Sequence, residues 1–144
     1  MDLKEFRIGN LLLMGGNHWQ EEGEFELREI TGQEIGHPFI SEFIKPIPLT
    51  EDWLMKFGFE KDKKHKGYYQ FNIAGFGLQK RFLLSFYFVT IDEIDKRYCY
   101  IFECGIGERI QYVHQLQNLY FSLTGTEIVL SAEGKSLIKN CSTE

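Results

Sequence analysis

With 144 residues, 43% of them hydrophobic and 15% aromatic, the chain is long enough to close a core without disulfides or metal. Its formal net charge of −5 works against bulk affinity for nucleic acid, which needs phosphates neutralised by Lys and Arg. No apolar run of about 18 residues is present to span a membrane, and the opening residues are too charged for a secretory leader.

The charge is uneven. Residues 1–50 hold four basic and nine acidic side chains, residues 51–90 seven against four, and residues 91–144 five against eight. Only the middle stretch is basic. The three cysteines, Cys99, Cys104 and Cys141, are an odd number with no C-x-x-C pair. Free thiols in a reducing compartment follow, and a cytoplasmic location is expected.

In chain order, Ile8-Gly-Asn10 opens an apolar strand that runs to Met14 and ends at the turn signal Gly15-Gly16-Asn17. A second strand is expected over residues 24–30, with Phe25 and Leu27 on one face and Glu26 and Arg28 on the other. After Thr31-Gly32 a short piece over 33–35 ends at His37-Pro38. Residues 40–47 read as extended, and Pro46 and Pro48 confine them to an edge or a connector. Short strands spaced by glycine suggest a small, strongly bent barrel over residues 1–49.

Thr50 then caps a short helix, with Glu51 and Asp52 in its positive first turn, Trp53, Leu54 and Phe57 on one face, and Gly58 as the stop. Residues 59–71 form a hairpin with a lysine-rich tip. Residues 82–90 are apolar on both faces, as in a central strand covered from two sides. A turn over 91–96 leads to a partner strand over 97–103. Residues 127–130 could add one more strand, and a tail follows from Ser131.

Between them lies the stretch 110–126, which contains no Asp, Glu, Lys or Arg. On a helix, Tyr112, Val113, Leu116, Leu119, Tyr120 and Leu123 form one apolar stripe, and Gly125 stands where a left-handed cap is expected. The opposite face carries His114, Gln117, Asn118 and Phe121. An aromatic ring among amides suits a partly wet protein contact. Coverage of Phe121 by the C-terminal residues is the competing expectation and the favoured one, since monomers seldom leave apolar patches open.

A second candidate surface is the hairpin tip. Lys61, Lys63, Lys64 and Lys66 beside Tyr68 and Tyr69 combine charge for phosphate with aromatic faces for bases. The plainer reading is a soluble tip whose lysines prevent edge pairing. His18, His37, His65 and His114 are scattered, so no metal site is expected. Gly75-Phe-Gly77 and Gly105-Ile-Gly107 lack the third glycine of a dinucleotide fingerprint and read as turns or bulges. Glu103 and Glu108 flank a glycine loop and read as solvated edges. No nucleophile–base pattern occurs, and neither a catalytic residue nor a cofactor is implied.

Three motifs carry a resemblance: Phe6-Arg-Ile-Gly-Asn10; Pro46-Ile-Pro-Leu-Thr-Glu-Asp-Trp-Leu54 followed by Phe57-Gly-Phe59; and Tyr112-Val-His-Gln-Leu-Gln-Asn-Leu-Tyr-Phe-Ser-Leu-Thr-Gly125. Together they resemble small uncharacterised proteins of Bacteroidetes phages, prophages and related genomes, over most of the chain. The resemblance implies a cytosolic bacterial or phage product and supplies no catalytic residue. The Ile8-Gly9-Asn10-Leu11 step is also similar to the first strand of Src-homology-3-like barrels.

The expected architecture is α+β: a small barrel-like unit over 1–49, sharing a core with a unit over 50–144 in which two helices pack an antiparallel sheet. The expected function is a non-enzymatic binding or accessory protein of a phage or mobile element. Its partner is expected to be a protein, with self-association open; nucleic acid at the lysine hairpin is the alternative.

Overall fold

The computed structural model describes residues 5–15, 25–32, 44–74, 81–101, 104–107 and 110–131. Among the described residues, two antiparallel sheets and two helices give an α+β fold. The turn at Gly16-Asn17, the piece over 33–35, His37-Pro38, the Gly75 and Gly77 pair, Glu103, Glu108 and the tail from 132 lie outside the described residues.

The first sheet holds β1 (Leu11–Gly15), β2 (Phe25–Glu29) and β3 (Ile44–Lys45), in the order β2-β1-β3. Leu11 pairs with Glu29 and Gly15 with Phe25. The barrel closure expected from the glycine spacing is not found among the described residues. Within them both flanking strands pair with β1, and β3 is two residues long. Beneath it Leu12, Met14, Ile30 and Ile44 form a small cluster with Phe6 against it.

Helix α1 (Glu51–Lys56) is set by local signals. The Thr50 hydroxyl accepts from the Trp53 amide at 3.4 Å, Glu51 and Asp52 occupy the first turn, and Gly58 leaves the helix at φ 91°. Leu54 and Phe57 are buried.

The second sheet has the order β4-β5-β6-β7-β8, with β4 (Glu60–Lys61), β5 (Tyr68–Ala74), β6 (Arg81–Ile91), β7 (Ile94–Ile101) and β8 (Cys104–Gly107). The central position of β6 follows its composition. Its cover is uneven, however. Leu84 and Phe86 are sealed on the face toward the helices, whereas Leu83, Tyr87 and Val89 on the other face are half-buried. On that outer face the Tyr68 hydroxyl donates to Ser85 at 3.0 Å, and Tyr68 and Tyr87 sit with ring centroids 6.4 Å apart. Tyrosine tolerates this half-wet position because only its ring needs cover.

The β6–β7 connection is tighter than the sequence suggests. Pairing continues to Ile91 and Ile94, and Asp92 and Glu93 alone make the turn, at φ 51° and 64°. The Gly105-Ile-Gly107 pair lies in β8, opposite a register shift between Cys99 and Tyr100. Residues 127–130 do not form a strand. They run past the end of α1, where the Ser131 amide donates to the Lys56 carbonyl at 2.8 Å, and bury Ile128 and Leu130 without a ladder partner.

Helix α2 (Val113–Thr124) joins the two sheets. The Gln115 side chain accepts from the amides of Gln111 and Tyr112, at 2.7 and 3.1 Å, and Gly125 closes the helix at φ 73°. Val113 and Leu116 belong to one cluster with Leu11, Leu49, Leu54, Leu84 and Phe86, so residues from both sheets share this core. The Tyr120 ring meets Phe71 of β5 edge-on at 6.0 Å. The chain entering α1 is tied to the start of α2 by Leu49 N–H to Gln111 O (2.9 Å) and Val113 N–H to Ile47 O (2.8 Å).

Candidate functional site

The uncharged face of α2 is occupied by the chain's own N-terminal segment. Gln117 is 3% exposed; its Oε1 accepts from the Leu11 amide at 2.8 Å and its Nε2 donates to the Gly9 carbonyl at 3.2 Å. The Asn118 Oδ1 accepts from Asn10 Nδ2 (2.8 Å) and Arg7 Nε (3.2 Å), and its Nδ2 donates to the Glu5 carbonyl (2.7 Å). Arg7 also pairs with Glu127 and lies 4.1 Å over the Phe121 ring. Phe121 remains 37% exposed. Its cover among the described residues is thus an arginine from the N-terminal segment; the C-terminal residues expected there lie outside them.

His114 is 1% exposed, stacked on Tyr112 and 4.5 Å from the Phe6 ring. Its Nε2 is 3.4 Å from a Glu5 carboxylate oxygen, and its Nδ1 has no partner among the described residues. Burial pulls its pKa below the usual 6.5, against an upward pull from Glu5. An unfolded chain therefore takes up a proton near pH 6.5 that the native imidazole resists. Stability is expected to hold above that pH and to fall as pH drops through it. Urea midpoints between about pH 7.5 and 5.5 should show the decline in the wild type and a flatter profile in His114→Gln, a contrast set by this one group.

The lysine hairpin is divided by the sheet. Lys63 and Lys64 are exposed at the tip, where Asp62 accepts from the Lys64 and His65 amides at 2.7 and 3.2 Å. These amide bonds, the Lys64 one foremost, hold the Asp62 carboxyl below its usual range. Tyr68 faces outward. Tyr69 faces inward at 2% exposure, its hydroxyl donating to Glu51. Burial first, then the Glu51 carboxylate, push that phenol up to about 12. The two tyrosines therefore stand on opposite faces and cannot stack one ligand together.

Lys61 and Lys66 instead line a cleft of about 610 Å³ between the entry to α1, the hairpin and the β6–β7 ribbon. Phe88 lies within it, and Arg97 projects from β7 in register with Phe88. Arg97 Nη1 donates to the Gln111 carbonyl at 2.7 Å, and the guanidinium sits 6.0 Å from the Phe88 ring centroid. Gly67 forms part of the wall at φ 80°; a Cβ there would stand 2.4 Å from the Phe88 carbonyl oxygen, so only glycine fits.

The cleft is cationic in an acidic protein. Lys61, Lys66, Lys96 and Arg97 line it against Glu51 and Asp95. Both carboxylates accept hydrogen bonds from hydroxyls within the fold, Glu51 from Tyr69 and Asp95 from Thr90 at 2.7 Å. Lys61 and Lys66 have no ion-pair partner among the described residues. Sequence reasoning found the two lysines and missed Arg97. Its signal was the alternation Arg97-x-Cys99-x-Ile101, which puts an arginine on the face that buries Cys99.

Among the described residues no group of three or more His, Cys, Asp and Glu side chains could hold a metal. Burial pushes the Cys99 thiol up to about 12, so it supplies no thiolate nucleophile at neutral pH. Among the described residues no helix is long and apolar enough to cross a membrane. No protein-family model, curated protein or solved structure significantly matches the chain.

Proposed function

We propose that the chain is a non-enzymatic binding protein that contacts another protein, taking an acidic segment of its partner in the cationic cleft. Support comes from one observation: Lys61 and Lys66, without ion-pair partners among the described residues, face the same space as Arg97 in a chain of net charge −5. Isolated cations beside an aromatic ring recognise carboxylates through charge-assisted hydrogen bonds. In keeping with the resemblance of its three motifs, we read it as a cytoplasmic accessory protein of a phage or mobile element. We read β1, β2 and β3 as the described part of a Src-homology-3-like barrel.

Nucleic acid is the weaker reading. A strand-binding groove tracks the backbone with continuous positive charge and offers open rings for stacking. Here Glu51 and Asp95 interrupt the charge, and Tyr69 is buried. Fluorescence anisotropy tests the choice. A labelled Asp/Glu-rich peptide should bind with salt-dependent affinity, weakened about tenfold in Lys61→Gln/Lys66→Gln. Tighter binding of a single-stranded oligonucleotide than of the peptide would reverse the assignment.

A further inference from the structure

We infer that a second copy of this chain fills the cleft, inserting the tip of its β6–β7 hairpin; this rests on the cleft being a site for acidic segments. The pairing of β5 with β6 stops at Tyr68 and Tyr87, whereas β6 and β7 remain paired as far as Ile91 and Ile94. The last rungs form a two-stranded ribbon extending past its neighbour strand, and residues 90–95 are all exposed. Its tip reads Ile91-Asp92-Glu93-Ile94.

The tip is complementary to the cleft in two respects. Asp92 and Glu93 have no ion-pair partner among the described residues, and neither have Lys61 and Lys66, the two cations they meet in the cleft. Ile91 and Ile94, 44% and 60% exposed, are apolar side chains of the kind the Phe88 ring can cover. Acidic, apolar-flanked and projecting, the tip has the chemistry that the cleft selects.

Position makes the exchange reciprocal. Thr90, Asp95 and Lys96, at the root of the ribbon, are themselves part of the cleft lining, so donor and acceptor adjoin on one side of the molecule. Two copies related by a two-fold axis can each give a tip and receive one, closing a symmetric dimer. An open chain of head-to-tail contacts is not needed.

Sedimentation velocity on the full chain over a range of concentrations tests this. The wild type should show a monomer–dimer equilibrium that shifts to monomer as salt rises. Asp92→Lys/Glu93→Lys and Lys61→Glu/Lys66→Glu should each be monomeric, and an equal mixture of the two should dimerise, since both contacts regain opposite charges. Because Lys fits a left-handed turn poorly, Asp92→Asn/Glu93→Gly provides a second variant suited to that backbone. It should melt no lower than the wild type yet weaken the dimer at least about tenfold. A wild type that stays monomeric while binding the acidic peptide overturns the dimer and leaves the cleft assignment standing. A dimer indifferent to all these charges overturns the inference as well, and loss of peptide binding removes the cleft assignment beneath it.

Discussion

Leu116→Ala is expected to destabilise the protein by about 2–5 kcal/mol, a large share of the ~5–15 kcal/mol available to a domain of this kind. The side chain is fully buried, in one cluster with Leu84 and Phe86 of the central strand and Leu11 of the first sheet. Its removal leaves a void between elements too rigidly tied to collapse. Leu49 and Val113 are fixed by backbone hydrogen bonds, and Gln117, one position further along α2, is fixed to β1. The melting temperature should fall by roughly 4–20 °C. Leu123→Ala should cost less, because Leu123 is half-buried near the end of the helix. Equal losses at the two positions would mean that the helix does not hold its core contacts in graded fashion from its start.

The sequence discloses those parts of the fold that depend on near neighbours. Thr50 and Gly58 bound α1, Gly125 ends α2, and the apolar run along 82–90 marks the central strand, because each signal and its consequence lie within a few residues. What it withholds are pairings across the chain. The amides of Gln117 and Asn118 have no sequence pattern that points to Gly9, Asn10 and Leu11, more than a hundred residues away. An amide on a helix face reads alike whether it meets a partner protein, water or a distant strand. The cleft was half legible for the same reason. Its lysines cluster locally, but Arg97 arrives only through the β6–β7 register. The outer face of β6 misleads for a further reason: Tyr87 and Val89 fit a fully covered strand by composition, yet a tyrosine-bearing face can remain half-wet.

The motifs that carry the resemblance turn out to meet in space. Arg7 and Asn10 from the first motif contact Asn118 from the third, and Ile47 and Pro48 from the second lie against Val113 and Tyr112. They specify one joint between the sheets. The residues that line the cleft come mostly from other stretches, so this joint and the proposed binding surface can vary independently.

Gln117→Leu tests the joint most directly, and a loss of about 2–4 kcal/mol is expected from it. The glutamine is 3% exposed and serves both a backbone donor, the Leu11 amide, and a backbone acceptor, the Gly9 carbonyl. Leucine fills similar space but satisfies neither. Each orphaned group then carries a desolvation cost of about 1–3 kcal/mol, and the total is moderated where water can reach the Gly9 side. Asn118→Ala divides the effect: its partners Arg7 and Glu5 lie nearer solvent and can be rehydrated, whereas the buried Asn10 amide loses its acceptor. Urea unfolding gives the magnitudes, and hydrogen exchange at the Leu11 amide gives the mechanism. That amide should lose protection in Gln117→Leu beyond what the drop in global stability explains. Retained protection there would mean that the first strand is held by its apolar contacts, with the amide lock contributing little.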